Sequence, residues 1–233
     1  MPSQLIRLEA APDLVDQVYR ALVDAISDGS LPPGGRITQE DLAAQLAVSR
    51  QPVLQALRLL KKDGLVLDAP GRGVQVAPLD AALIASVYQV RAALDVLAAR
   101  LAARCRAQID ERLLERGRKA ALGRNVREMI EADLAFHRAV YAASGNPLIE
   151  PSALLHWRHV RRAMGAVLQG SALRVSVWDD HEAIAAAIAA GDADRAEALM
   201  SGHDRRASVH ITRLLATAAA QRSPAQVARG DAR

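Results

Sequence analysis

Two sets of side chains in this chain have types and spacings that could do chemistry. The first lies in SRQPVLQALRLLKKDG, residues 49–64. At about 100° per residue, Arg50, Gln51, Leu54, Gln55, Arg58, Lys61 and Lys62 share one arc of a helix, with no acid among them. Guanidinium, ammonium and amide groups displayed in this way match phosphate oxygens and base edges, which is the chemistry of nucleic-acid recognition. The competing reading is an ordinary solvated face of an amphipathic helix. The second set contains Asp133 and His137, four residues apart and so on one helical face, with His181 and His203 further along. Carboxylates and imidazoles are proton carriers and metal ligands, but a histidine taken singly is more often structural.

Hydrophobic periodicity shows which elements must carry these groups. Opposite the cationic arc, Val53, Ala56, Leu57 and Leu60 form an apolar stripe. Ser49 is suited to cap the start of that helix, Pro52 sits within its first turn, and Gly64 stands where a helix stops. Upstream, residues 13–29 place Leu14, Val18, Ala21, Leu22, Ala25 and Ile26 on one helical face. LPPGGR, residues 31–36, reads as a rigid turn. Thr38 opens a short helix, with Asp41 completing a shortened capping box, and Leu42, Ala43 and Leu46 face inward. Two short helices across a tight turn, the second basic outside, make a helix-turn-helix. LVLDAPGRGVQVAP, residues 65–78, alternates, breaks at a Pro-Gly-Arg-Gly tip and resumes at Val74, which predicts a two-stranded wing. Residues 1–78 therefore read as a winged helix-turn-helix.

Beyond Leu79 every pattern is helical. Asp80 caps a long segment whose stripe is Val87, Val90, Leu94, Leu97 and Leu101, and helices are expected over residues 110–123, 125–144, 148–168 and 174–190. A last helix, capped by Asp192, is expected to end near Leu215. The predicted architecture is mainly α, an all-α antiparallel bundle over residues 79–217 following the winged domain. Residues 218–233 lack a core-facing pattern and are expected to be a disordered tail. The linker at Pro78 is short, so the two domains are expected to be mechanically coupled.

Composition narrows the classes. The chain has 233 residues, 51% hydrophobic and only 3% aromatic, which favours closely packed helices. Cys105 is the sole cysteine, excluding an internal disulfide or a multi-cysteine metal site. The first residues lack the apolar core of a signal peptide, and the longest apolar run, residues 183–190, is too short for a bilayer. A soluble cytoplasmic protein with no membrane partner is expected. The net charge of +4 does not argue for DNA, because residues 1–78 carry 8 basic and 9 acidic side chains. Only the local field of residues 49–62 does.

LPPGGRITQEDLAAQLAVSRQPVLQALRLLKKDGLV resembles the DNA-binding domain of the GntR family of bacterial transcription regulators almost position by position. The resemblance implies contacts to double-stranded DNA from Arg36, Ser49, Arg50, Gln51, Leu54 and Arg58, and from Gly71, Arg72 and Gly73 at the wing tip. The chain departs from the family pattern at Glu40 and Leu54, where arginine is usual. Leu54 cannot make the bidentate contact to guanine that arginine makes, but can pack on a thymine methyl. ADLAFHRAVYAASGNPLI and WDDHEAIAAAIAAGDADRAEALMSGH resemble the FCD domain of the FadR branch of that family. This second resemblance implies that Asp133, His137, His181 and His203 hold a divalent transition metal, for which zinc, nickel and manganese all suit the donors. It also implies a small-molecule effector, expected to be a carboxylate, with Arg91 facing it or else held in a salt bridge of the bundle.

The function this predicts is a metabolite-responsive regulator, a repressor by family habit, acting as a homodimer on a near-palindromic operator. The alternative is a metal-dependent hydrolase or isomerase using the Asp/His centre, for which no separate acid or base motif is visible. A structural DNA-packaging protein would leave the Asp/His group and the cavity without a purpose.

Overall fold

The computed structural model describes residues 14–71, 73–123, 125–168 and 174–222. Contacts divide the chain into two compact units, Met1–Ile26 with Ser30–Pro78, and Ser27–Gly29 with Leu79–Arg233.

The first unit is built from α1 (Leu14–Asp28), β1 (Arg36–Ile37), α2 (Gln39–Gln45), α3 (Arg50–Lys62), β2 (Val66–Asp68) and β3 (Val74–Val76). Val18, Leu22 and Ile26 of α1 meet Leu42 of α2 and Val53, Ala56, Leu57 and Leu60 of α3 in one core. The apolar stripe expected on α3 is thus the buried one. Thr38 caps α2 as expected, its Oγ1 accepting from the Asp41 amide at 3.2 Å. Ser49 does not behave as expected: it occupies the N-cap position of α3, but its side chain makes no capping bond. The helix start is exposed, so water can satisfy those amides instead. At the other end, the Leu65 amide donates to Leu60 O at 2.9 Å and the Gly64 amide to Lys61 O at 3.0 Å. This paired closure needs the left-handed backbone of Gly64, with φ of 70°.

The wing has one strand more than predicted. β1, read in sequence as the end of a rigid turn, pairs antiparallel with β3, and the sheet order is β1-β3-β2. Val66 faces Val76 and Asp68 faces Val74 in the hairpin. A two-residue strand is invisible to a periodicity test, which needs several alternations to register. Gly73 makes the third strand possible: a Cβ there would lie 2.6 Å from Ile37 O.

The second unit is a helical bundle: α4 (Ala81–Arg104), α5 (Glu111–Leu122), α6 (Val126–Ala143), α7 (Ile149–Val167), α8 (Arg174–Ala190) and α9 (Ala193–Arg222). Asp80, Asp110 and Asn125 cap α4, α5 and α6 through their side chains, and Asp192 Oδ1 accepts from Arg195 N at 3.0 Å at the start of α9. α9 continues to Arg222, past the expected end near Leu215. The remainder of the expected tail, residues 223–233, lies outside the described residues.

α4 lies antiparallel along α9, since Arg100 pairs with Asp194 and Glu197 while Arg91 lies against Asp204. Their approach is close because Ala98, Ala99, Ala102, Ala103 and Ala196 are fully buried. The apolar stripe predicted for α4 is buried only in part: Val87 is in the core and Leu94 and Leu101 pack against it. Ile84, Val87, Tyr88, Arg91, Asp95 and Ala98 point inward, whereas Val90 is 50% and Leu97 42% exposed. A buried ion pair outranks leucine for the inward position here, because its partners are on the facing helices. α4 is also apolar enough, at mean hydropathy 1.4 over its best window, to pass a length-and-composition test for a membrane span. Arg91 and Asp95 interrupt its apolar run, so the sequence shows no unbroken apolar stretch there.

Candidate metal centre and nucleic-acid interface

Asp133 and His137 follow each other on the inner face of α6, and the same face continues to Tyr141. His181 comes from α8 and His203 from α9, and all four residues are buried. One donor atom from each lies within 4.8 Å of the others. His181 Nε2 is 3.3 Å from Asp133 Oδ1 and 3.4 Å from His203 Nε2. Donors bound tetrahedrally at about 2.1 Å from a metal stand about 3.4 Å apart. The residues present therefore fit a divalent ion, and the four positions named from sequence are brought together.

The surroundings orient the imidazoles. Phe136 stacks on His181 with ring centroids 4.1 Å apart, and Trp178 meets the same ring edge-on at 4.7 Å. Trp178 gets this close because residue 117 is glycine; a Cβ there would lie 1.6 Å from the indole. Burial, with His203 and His137 nearby, holds His181 well below its usual pKa. Burial, then the Arg91 charge, also lowers His137. Neutral imidazole is the form a metal binds.

Sequence reasoning missed Asp95, whose carboxylate is central to this region. Its Oδ2 lies 2.9 Å from Arg91 Nε and 3.3 Å from His137 Nδ1, and Tyr141 donates to its Oδ1. Trp157 Nε1 in turn donates to the Tyr141 hydroxyl at 3.1 Å. Burial pushes the Asp95 carboxyl up, but Arg91, His137 and Tyr141 together pull it well below the usual carboxylate range. An ionised Asp95 beside Nδ1 favours the proton there and turns the lone pair of Nε2 toward the site. That lone pair accepts from Arg91 Nη2 at 2.8 Å. Asp180 stands similarly 3.5 Å from His203 Nδ1. The i, i+4 spacing of Arg91 and Asp95 was the available signal, and it was passed over because both fall inside an apolar segment.

Arg91 combines both roles weighed for it. It lines a cavity of about 160 Å³ that also touches Asp133 and His203. It is also paired with Asp95 and lies 3.7 Å from Asp204, its guanidinium 4.0 Å from the centre of the Trp157 ring. Burial and the neighbouring Asp95 raise the Asp204 carboxyl well above the usual carboxylate range, and Asp95 is the nearer acid to Arg91.

On the other unit, Arg36, Ser49, Arg50, Gln51, Arg58, Gly71 and Gly73 are exposed and Leu54 is half-buried, while Arg72 lies outside the described residues. Leu54, Arg58 and Gly73 line one groove between α3 and the wing, and Gly71 sits beside the Arg36 guanidinium. The cationic arc is less positive than its sequence implies. Arg50 Nη1 is 3.5 Å from Glu40 Oε1, and Lys61 Nζ is 2.6 Å from Asp68 Oδ2. Both acids come from outside residues 49–62, so reading that stretch alone overestimates its field.

Comparison with known proteins agrees with this geometry. The FCD domain model matches residues 86–206, and the model for bacterial regulatory proteins of the gntR family matches residues 14–76. The chain is 32% identical to the HTH-type transcriptional regulator LutR of Bacillus subtilis, over 76% of this chain and 92% of that protein. It is 29% identical to an HTH-type transcriptional regulator of Streptomyces ambofaciens, over 87% and 90% of the two chains. Among solved structures, E. coli McbR/YncC superposes with a TM-score of 0.74 at 20% identity, covering 88% of this chain and 99% of that one. A GntR transcriptional regulator from Rhodococcus sp. RHA1 superposes with a TM-score of 0.71 at 26% identity, covering 84% and 96%. These relatives are transcriptional regulators, and the hydrolase reading finds no support among them. The chain belongs to the GntR family of bacterial regulatory proteins, its helix-turn-helix joined to an FCD domain.

Proposed function

We propose that this regulator is a cytoplasmic, metabolite-responsive repressor of the FadR branch, with DNA-binding residues 1–78 and effector-binding residues 79–217. The observation that carries the reading is the cavity walled by Arg91, Asp133 and His203, where two of four metal-type donors face a space large enough for a small molecule. Asp133, His137, His181 and His203 would hold a divalent zinc, nickel or manganese ion, which supplies a Lewis-acidic position for a carboxylate. The chain's own contribution is to hold His137 and His181 toward their neutral forms, orient the imidazoles of His137 and His203 through Asp95 and Asp180, and exclude bulk water with Phe136 and Trp178.

The protein acts as a homodimer in this reading, because one winged helix reads too few base pairs for a selective site. The exposed stripe of Leu83, Val90 and Leu97, spaced by seven residues along α4, supports a second copy as partner. At the operator, Arg36, Ser49, Arg50, Gln51, Arg58 and the wing tip, residues 71–73, contact DNA, with Leu54 against a thymine methyl. Effector binding releases the operator only if bound and free dimers differ in effector affinity.

The test is a gel shift on the protein's own upstream DNA, with metal content measured beforehand, with and without organic acids. A metal-loaded dimer that binds one site and lets go on acid addition is expected. A monomer that binds no DNA under any of these conditions removes the proposal.

A further inference from the structure

We propose that the effector is a monocarboxylate with a compact apolar body about the size of a benzene ring or a branched five-carbon chain, and not a dicarboxylate or a polyhydroxylated acid. This rests on the metal-site reading above and specifies what that site receives. Three independent features of the cavity lead to it.

The first is size. The cavity holds about 160 Å³. An apolar protein cavity of about 150 Å³ accepts benzene. A ring or a short branched chain therefore fills this space without leaving a void. The second is the wall. Met129, Met164, Leu168, Val177, Ala207 and Ile211 form the apolar part of a wall to which Tyr88, Ser176 and His210 add polar groups. A hydroxyl turned toward thioether and alkyl groups loses its water partners and gains none. An apolar body loses nothing there and gains from leaving water.

The third is charge. Among the described residues lining the cavity, each guanidinium already has an acid. Arg91 is paired with Asp95 at 2.9 Å, and Arg206 Nη2 lies 2.6 Å from Asp180 Oδ1. His210, also on the wall, is held toward its neutral form by burial and the nearby Arg213. The metal position beside Asp133 and His203 is then the one place where an anion gains a new cationic partner. A second carboxylate would have to share the Arg206 guanidinium with Asp180, which also lies 3.5 Å from His203.

The experiment uses the full chain loaded with zinc, its stoichiometry measured by elemental analysis, and calorimetric titration with a set of probes. Benzoate and 3-methylbutanoate are compared with succinate, citrate and gluconate, and benzyl alcohol serves as the uncharged control. At least one of the first two is expected to bind ten times more tightly than succinate, citrate or gluconate. Its binding should weaken at least tenfold in the metal-stripped chain. Ala207→Phe, which fills the cavity, should weaken it tenfold or more with zinc stoichiometry unchanged. Equal or tighter binding of succinate, citrate or gluconate overturns the proposal, as does a zinc-loaded chain that none of the probes engages. A chain that takes up no zinc overturns the metal-site reading itself and is recognised before any probe is added. Benzoate binding that survives in a folded His137→Ala chain without zinc rejects the metal-bound carboxylate while leaving the apolar site.

Discussion

At the scale of single residues, two acids decide how the chain differs from what its motifs suggest. Asp95 is no ligand, yet its carboxylate stands 3.3 Å from the Nδ1 of His137 and sets which nitrogen faces the site. Carboxylates in that relation to a metal-bound histidine are worth about 10- to 100-fold in affinity. Asp95→Asn should lower zinc affinity within that range, measured by competition with a chromogenic chelator, while Asp95→Glu recovers part of it. An unchanged affinity in Asp95→Asn would mean that packing alone orients His137. Glu40 acts on the other unit, where it lies 3.5 Å from Arg50. Removing an exposed acid beside a phosphate-seeking arginine strengthens nonspecific attraction to DNA. Glu40→Gln should raise operator affinity severalfold and steepen the dependence of log affinity on log salt by up to about one unit. A flat or weakened response would place Glu40 at a base edge, where it accepts from cytosine.

At the scale of elements, α4 does two jobs with opposite faces. Its inner face carries the Arg91 and Asp95 pair into the core, and its outer face shows Leu83, Val90 and Leu97. Apolar side chains seven residues apart on an exposed helix are what a matching helix buries. Val90→Glu with Leu97→Glu is expected to convert the proposed dimer to monomer in sedimentation at micromolar concentration, with helix content retained. A dimer that persists would place the interface on another face. The contact of α5 with α8 depends on Gly117, against which Trp178 lies. Gly117→Ala should destabilise by about 1–3 kcal/mol, as overpacking does. Because Trp178 walls His181, zinc affinity should fall with it; a melting temperature equal to that of the parent would show that the indole moves aside freely.

At the scale of the whole molecule, metal and stability are linked. The donors come from α6, α8 and α9, so a bound ion would tie three helices together. A ligand of the native state at 100 times its dissociation constant stabilises by about 2.7 kcal/mol. Chelation should therefore lower the melting temperature by several degrees, in a transition that zinc restores, and His137→Ala should remove this response. A melting temperature indifferent to chelator in a chain shown to hold zinc would mean that the ion binds the unfolded chain about as well.

Much of this protein was legible in its residues. Periodicity located the helices of both units, the α3 stripe was the buried one, and the four donors were named before they were seen to converge. Those features are local, or repeat at helical spacing, and a linear sequence encodes them directly. What tertiary structure decided was opposition: which group faces which across an interface. Asp68 and Glu40 temper the cationic arc from a neighbouring strand and helix. β1 becomes a strand because β3 lies beside it. Val90 and Leu97 of α4 turn outward because Arg91 and Asp95 find His137, Tyr141 and Asp204 within. Charges act through space and cores through shape, and neither depends on distance along the chain, so only the packed molecule could assign those partners.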